Sequence, residues 1–224
     1  MPTILITGAG RGLGLALAHL LTHKNNDVIG TIRNPKEADE LKALGAQVET
    51  LDVSDDASIA AIGDRLKAKP IDVRVNNAGV GSTQSRLADL TGDELRRVFQ
   101  INAFAPLLLA RSLAPSLRAG KRTLIMNISS QLGSITNNTG GSSYPYRASK
   151  SALNQLTRSL SVELGKEGFT SFVVHPGWVK TDMGGPGAPL SPEESAAFLA
   201  ERIEKADAAT NGKYLNYDGK ELPW

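Results

Sequence analysis

Tyr146 and Lys150, the ends of the run Tyr-Arg-Ala-Ser-Lys, place a phenol and an ammonium four residues apart. On a helix that spacing brings two side chains onto one face, about 5 to 6 Å apart. The pair could transfer protons. A cation favours the phenolate, and a tyrosine whose unperturbed pKa is about 10 needs such help to work as a base at neutral pH. Tyr and Lys at this spacing also occur on ordinary solvated helix faces, so the chemistry requires a substrate partner, a cofactor cradle and a proton path elsewhere in the chain. Tyr144 is the competing phenol, but an offset of six residues from Lys150 puts it near the opposite helix face.

A cradle stands near the other end. Thr7-Gly8-Ala9-Gly10-Arg11-Gly12-Leu13-Gly14 follows a short apolar run and opens a segment of helical periodicity. Glycines in that position let the backbone turn sharply and approach a pyrophosphate at the helix N-terminus. The spacing Gly8, Gly12, Gly14 departs from G-x-G-x-x-G, because Leu13 stands three residues after Gly10. A plain tight turn is the alternative.

The elements that must carry these groups alternate along the chain. Apolar strand-like runs at 4–6, 28–32, 47–51, 71–75, 123–128, 169–174 and 213–217 are separated by amphipathic segments at 13–23, 37–44, 55–67, 91–113, the Tyr146–Lys150 region and 191–205. Fully buried strands with right-handed crossovers predict an α/β doubly wound Rossmann fold, with a mostly parallel seven-stranded sheet and residues 1–224 forming a single domain around the dinucleotide cradle. Thr91 to Glu94 and Ser191 to Glu194 both read as capping boxes, the second with Pro192 at the first helical position.

Composition removes other classes. The 25 basic and 23 acidic residues are dispersed together for a net charge of +2, and the longest basic cluster, Arg118 to Arg122, is interrupted, so no nucleic-acid partner is expected. No cysteine is present for disulfides or thiolate metal sites, and His19, His23 and His175 show no metal-ligand spacing. No apolar run suggests a membrane partner. The first strand starts at Thr3, which leaves no room for a signal peptide and makes a cytoplasmic protein the expectation.

In order, Thr7-Gly8-x-x-x-Gly12-x-Gly14, Asn76-Asn77-Ala78-Gly79, Asn102, Ser130, Tyr146-x-x-x-Lys150 and Pro176-Gly177 resemble the short-chain dehydrogenase/reductase superfamily over essentially the whole chain. The runs 146–154 and 175–183 and the ending Leu222-Pro223-Trp224 are similar to the subgroup of C-factor-like proteins and Sniffer-type carbonyl reductases. The resemblance implies that Tyr146 passes the proton and that Ser130 orients the substrate oxygen, with Ser129 as its rival. It implies that Lys150 bonds the nicotinamide ribose and lowers the Tyr146 pKa, and that Asn102 holds a relay water. Its implied cofactor contacts are Gly8, Gly10, Arg11, Gly12, Leu13 and Gly14 in the turn, then Asp52, Val53, Asn77, Ala78, Gly79, Tyr146, Lys150, Pro176, Gly177, Val179 and Thr181.

Three readings come from the residues themselves. Asn102 lies four residues before Pro106, which cannot donate to the Asn102 carbonyl, so the helix must kink or find that carbonyl another partner. The second strand ends in Thr31-Ile32-Arg33; an arginine there, with Arg11 in the turn, suits a 2′-phosphate and favours NADP(H), leaving NAD(H) as the weaker alternative. Arg74 interrupts a strand that should be apolar on both faces, so its stem should pack and its head reach an acid or solvent.

The polar stretch 136–143 is expected to form a loop beside the site, and the glycine-rich loop after Thr181 to cover it poorly. An open pocket would accept small or medium aldehydes, ketones and quinones. The apolar run 101–110 suggests a homodimer or homotetramer. Together these features predict an NADP(H)-dependent reductase, with a non-catalytic NADP(H)-binding redox sensor or signalling protein as the alternative. A serine hydrolase is remote because no G-x-S-x-G elbow occurs.

Overall fold

The computed structural model describes all 224 residues. In chain order the elements begin β1 (Thr3–Ile6), α1 (Gly12–His23), β2 (Asp27–Ile32), α2 (Ala38–Ala43), β3 (Gln47–Thr50), α3 (Asp56–Leu66) and β4 (Val73–Asn76). They continue with α4 (Gly92–Phe99), α5 (Ala105–Ser112), α6 (Ala114–Ala119), β5 (Leu124–Ile128), α7 (Tyr144–Gly165), β6 (Thr170–His175), α8 (Pro192–Lys205) and β7 (Tyr214–Asn216). The seven strands form one sheet in the order β3-β2-β1-β4-β5-β6-β7, and every pairing is parallel.

Alternating side chains divide between two cores. Ile4 and Ile6 pack with α1, α2 and α8 on one face, while Leu5, Ile29 and Ile125 pack with α3, α5 and α6 on the other. The connection from β1 turns one way and that from β4 the other, so a crevice opens at their C-terminal ends. The glycine turn and Asn77–Gly79 flank that crevice. No helix is long and apolar enough to cross a membrane.

Two local expectations are corrected. The segment from Thr91 is not one α-helix: a π-helical turn, Gln100–Phe104, joins α4 to α5, and the Ala105 N–H bonds the Gln100 carbonyl five residues back. Pro106 lacks the N–H that would continue the α ladder, and the wider turn absorbs the mismatch. The capping box at Thr91 is half formed. Its hydroxyl accepts from the Glu94 N–H at 3.3 Å, but the Glu94 carboxylate is drawn to Ser82 and Arg97 instead. At Ser191 the reciprocal pair is complete.

Arg74 also departs from expectation. It is wholly buried in central β4, on the face of Leu5 and Ile125, and reaches neither acid nor solvent. Its Nη2 donates to the Pro106 carbonyl at 3.2 Å and lies 3.0 Å from the Asn76 side-chain amide. Burial pulls its pKa down to about 9. A strand flanked on both sides offers the head no exit, so a backbone carbonyl and an amide take up Nη2 in place of a counter-ion, while Nη1 is left without a partner.

Candidate active site

The glycine turn is built by contacts that exclude side chains. Gly8 takes φ +66° and Gly12 φ +52°. A Cβ on Gly14 would stand 2.3 Å from the Gly8 carbonyl oxygen and 2.5 Å from Asn77 Nδ2, so α1 packs backbone to backbone against the turn. The Thr7 hydroxyl accepts from the N–H groups of Asn77 and Ala78, each at 3.0 Å, and Asn77 Nδ2 donates to the Thr7 and Gly8 carbonyls. These bonds weld the turn after β1 to the turn after β4. Sequence reasoning used Thr7 only as the first letter of a motif; its role as a double acceptor is visible only once β1 and β4 are neighbours.

A pyrophosphate-bearing cofactor fits this turn. The first turn of α1 receives no side-chain cap from Arg11 and contains no acidic residue, which leaves amide hydrogens and the positive helix end facing the crevice. Leu13 is half-buried against the larger core. Gly10 lies under Glu37, and Gly12 faces Thr181 across the turn, since a Cβ there would meet the Thr181 methyl at 3.3 Å. Arg11 is exposed and paired with Asp182, a partner that its sequence position did not indicate. Arg33, at the end of β2, is exposed. Hydrogen bonds from Ser54 hold the Asp52 carboxyl below its usual range, with the Arg33 charge contributing. Val53 packs half-buried beside them.

On the opposite wall, Gly177 takes φ +88° and Ser195 holds the Pro176 carbonyl at 2.7 Å. Val179 is buried and bridged to Leu190. The loop that follows is tied more closely than its glycines suggest. Trp178 Nε1 donates to the Gly184 carbonyl at 2.7 Å, and Gly184 and Gly185 N–H groups both return to Thr181. Trp178 and Met183 leave large apolar surfaces exposed.

The groups expected to transfer protons converge at the ends of β4 and β5. Lys150 is buried, its ammonium donating to the Ile128 carbonyl at 2.8 Å and lying 5.8 Å from the Tyr146 ring centre. Tyr144 points outward, as its helix phase predicts. Asn102, in the π turn, exchanges two hydrogen bonds with the Val80 backbone, both 2.9 Å, and donates to the Ser149 hydroxyl at 3.1 Å. A Cβ on Gly79 would sit 3.3 Å from Asn102 Oδ1 and 3.7 Å from Lys150 Nζ, which puts these three residues around one point.

The two serines separate. The Ser129 hydroxyl is committed to Asn154 at 2.6 Å, whereas the Ser130 hydroxyl accepts from the Leu132 N–H and stands against Tyr146. The Tyr146 pKa is not lowered, contrary to expectation. Burial raises it, Ser130 opposes the rise, and the Lys150 ammonium is turned to the Ile128 carbonyl rather than to the phenol. Burial also lowers Lys150, to about 8.

The family model for short chain dehydrogenases matches residues 2–188. This chain belongs to that family. Carbonyl reductase Sniffer of D. melanogaster is similar over 100% of both chains, with a TM-score of 0.92 and 38% identity. The NADPH-bound carbonyl reductase from chicken fatty liver also reaches a TM-score of 0.92, at 33% identity over 100% of this chain and 99% of its own. Among curated proteins, the C-signal of Myxococcus xanthus is 41% identical over 155 residues, 69% of this chain and 93% of that protein. As a short-chain dehydrogenase with Sniffer-like and C-factor-like similarity, the chain is an oxidoreductase that uses a nicotinamide cofactor and a small-molecule substrate.

Proposed function

We propose that the chain is an NADP(H)-preferring carbonyl reductase acting on small or medium aldehydes, ketones or quinones, with Tyr146, Ser130, Lys150 and Asn102 as its working groups. The observation that carries this reading is the pairing of a Ser130 hydroxyl with a half-buried, protonated Tyr146 beside the Lys150 ammonium. A phenol raised in pKa remains a proton donor at neutral pH, which suits reduction. When bound in this crevice, a nicotinamide would supply the hydride that reduces the carbonyl carbon. Ser130 and Tyr146 hydroxyls bind the carbonyl oxygen, and Tyr146 gives it a proton to complete the alcohol. Lys150 holds positive charge beside the phenolate that remains, and Asn102, fixed on Val80 and Ser149, lines the return path for a proton.

Arg33 favours the phosphorylated cofactor because a guanidinium binds phosphate through two parallel hydrogen bonds. It is exposed at the end of β2, where the 2′ position of the adenosine ribose lies in doubly wound folds. Arg11, in the turn, would exchange Asp182 for the same phosphate. The remaining turn, strand-end and loop residues would line the nucleotide as the family motif implies. A cytoplasmic homodimer is part of the reading, formed over the exposed Phe104, Leu107 and Val162 of the α5–α7 face. The alternative, a cofactor-binding signalling protein, draws on the likeness to C-signal.

The test is loss of NADPH absorbance with a panel of aldehydes, ketones and quinones, repeated with NADH and with Tyr146→Phe. Turnover abolished by the substitution and slower with NADH supports the reductase. Tight NADPH binding without turnover of any compound favours the signalling reading and rejects the enzyme.

A further inference from the structure

Behind Ser130 lies a cluster drawn from the far end of the chain, with Tyr214 buried at its centre and Trp224 at its exposed edge. Tyr214, on β7 and 1% exposed, donates its hydroxyl hydrogen to the Ser130 backbone carbonyl, which also accepts from the Gly133 N–H at 2.8 Å. The Tyr214 ring packs with Leu153 and Val173 and tilts against Trp224, with ring centres 5.4 Å apart. The Trp224 carbonyl accepts from the Thr136 N–H at 3.0 Å and the Ser134 hydroxyl at 3.3 Å. Between them, the Leu222 N–H returns to the Tyr214 carbonyl at 2.8 Å. Residues 214–224 thus fasten both Ser130 and the loop that follows it to one strand.

The location matters because β5 ends there. Ser129 still bonds Val174 of β6, but the chain leaves the ladder at Ser130 and enters a short 3-10 turn. A residue outside the ladder takes its direction from whatever holds its main chain. We propose that Tyr214 is a positioning residue that aims the Ser130 hydroxyl at Tyr146, and that Trp224 holds the Tyr214 ring and the 134–136 loop in register. The proposal rests on the reading of Ser130 and Tyr146 as the reacting pair. Burial pushes Tyr214 up to about 12, and the neighbouring Tyr146 adds to the rise. It therefore remains a donor whichever state Tyr146 is in.

Tyr214→Phe keeps the ring and removes the hydroxyl, with its bond to the Ser130 carbonyl and its contact with the Asn154 side chain. With the best NADPH-dependent substrate, kcat is expected to fall about tenfold, the effect of one lost hydrogen bond of roughly ordinary strength. The KM for NADPH should stay within about twofold and the melting temperature within about 4 °C. Because Ser130 opposes the raised Tyr146 pKa, a misaimed Ser130 lets that pKa climb further, so the basic limb of the kcat profile moves to higher pH. Tyrosine absorbance titration, taken as the difference from Tyr146→Phe, reads the same shift without any substrate.

Trp224→Ala should lower kcat in the same direction, and the double variant should be no worse than Tyr214→Phe alone, since the two act through one contact. An unchanged kcat and an unmoved limb in Tyr214→Phe, while Ser130→Ala and Tyr146→Phe abolish turnover, overturn the positioning role alone. Turnover that survives both Ser130→Ala and Tyr146→Phe defeats the underlying reading of the site, and the positioning role falls with it.

Discussion

Asn102→Ala should destabilise the fold as well as slow the reaction. The side chain is 1% exposed and makes three hydrogen bonds, two to the Val80 backbone and one to the Ser149 hydroxyl. Each is worth about 0.5 to 1.5 kcal/mol net, and alanine leaves the Val80 N–H and carbonyl without their partner, so a total of about 2 to 4 kcal/mol is expected. For a chain of this size each kcal/mol moves the melting temperature by about 2 to 4 °C, which gives a fall of about 4 to 16 °C by calorimetry. Ser149→Ala removes one of the three bonds together with the bond its hydroxyl donates to the Tyr146 carbonyl, and should lower it by about one to two thirds as much. Hydrogen exchange at the Val80 amide should accelerate in Asn102→Ala while amides in β6 remain protected. A melting temperature within about 2 °C of wild type, with Val80 still protected, would show that the π turn holds Val80 without this side chain and would refute the reasoning.

The Lys150 ammonium gives a pH signature. Its folded pKa, about 8, lies below the ordinary lysine value of 10.5, so between those values the unfolded chain binds more protons and stability rises with pH. Lys150→Met should remove that rise and raise the urea midpoint at pH 7 relative to wild type, an advantage that shrinks towards pH 10; parallel slopes for the two proteins would count against the burial argument. Gly14→Ala should abolish nucleotide binding, at least about 100-fold by fluorescence titration, because its Cβ would collide with backbone that cannot withdraw. Binding preserved within about threefold would mean that the turn does not need the close approach of α1.

Much of the fold was legible because the strands are buried on both faces and read as short apolar runs between amphipathic segments. Helix phase alone separated Tyr146 from Tyr144. Proximity in sequence did not separate Ser129 from Ser130, since the difference lies in Asn154, a residue 25 positions away. Pro106 announced a disturbance at Asn102, but whether a helix answers with a kink or a π turn depends on what the neighbouring strands hold in place, here Val80 and Arg74. Arg74 was misread for a related reason. A lone guanidinium in an apolar run implies an outlet, and only the packed structure shows that the Pro106 carbonyl takes one nitrogen of the head while Nη1 stays unpartnered. Tyr214 carried no local signal, being an aromatic residue in a short strand like many others.

The bonds that assemble the site join distant parts of the chain: Thr7 to Asn77 across 70 residues, Asn102 to Ser149 across 47, and Tyr214 to Ser130 across 84. During synthesis, the nucleotide half can close once β4 has emerged, whereas Ser130 gains its anchor only after β7 does. Contacts of such long sequence separation form late and slowly. A nascent chain should therefore acquire nucleotide affinity before Ser130 is anchored, so that maturation of the enzyme is ordered by the topology of its sheet.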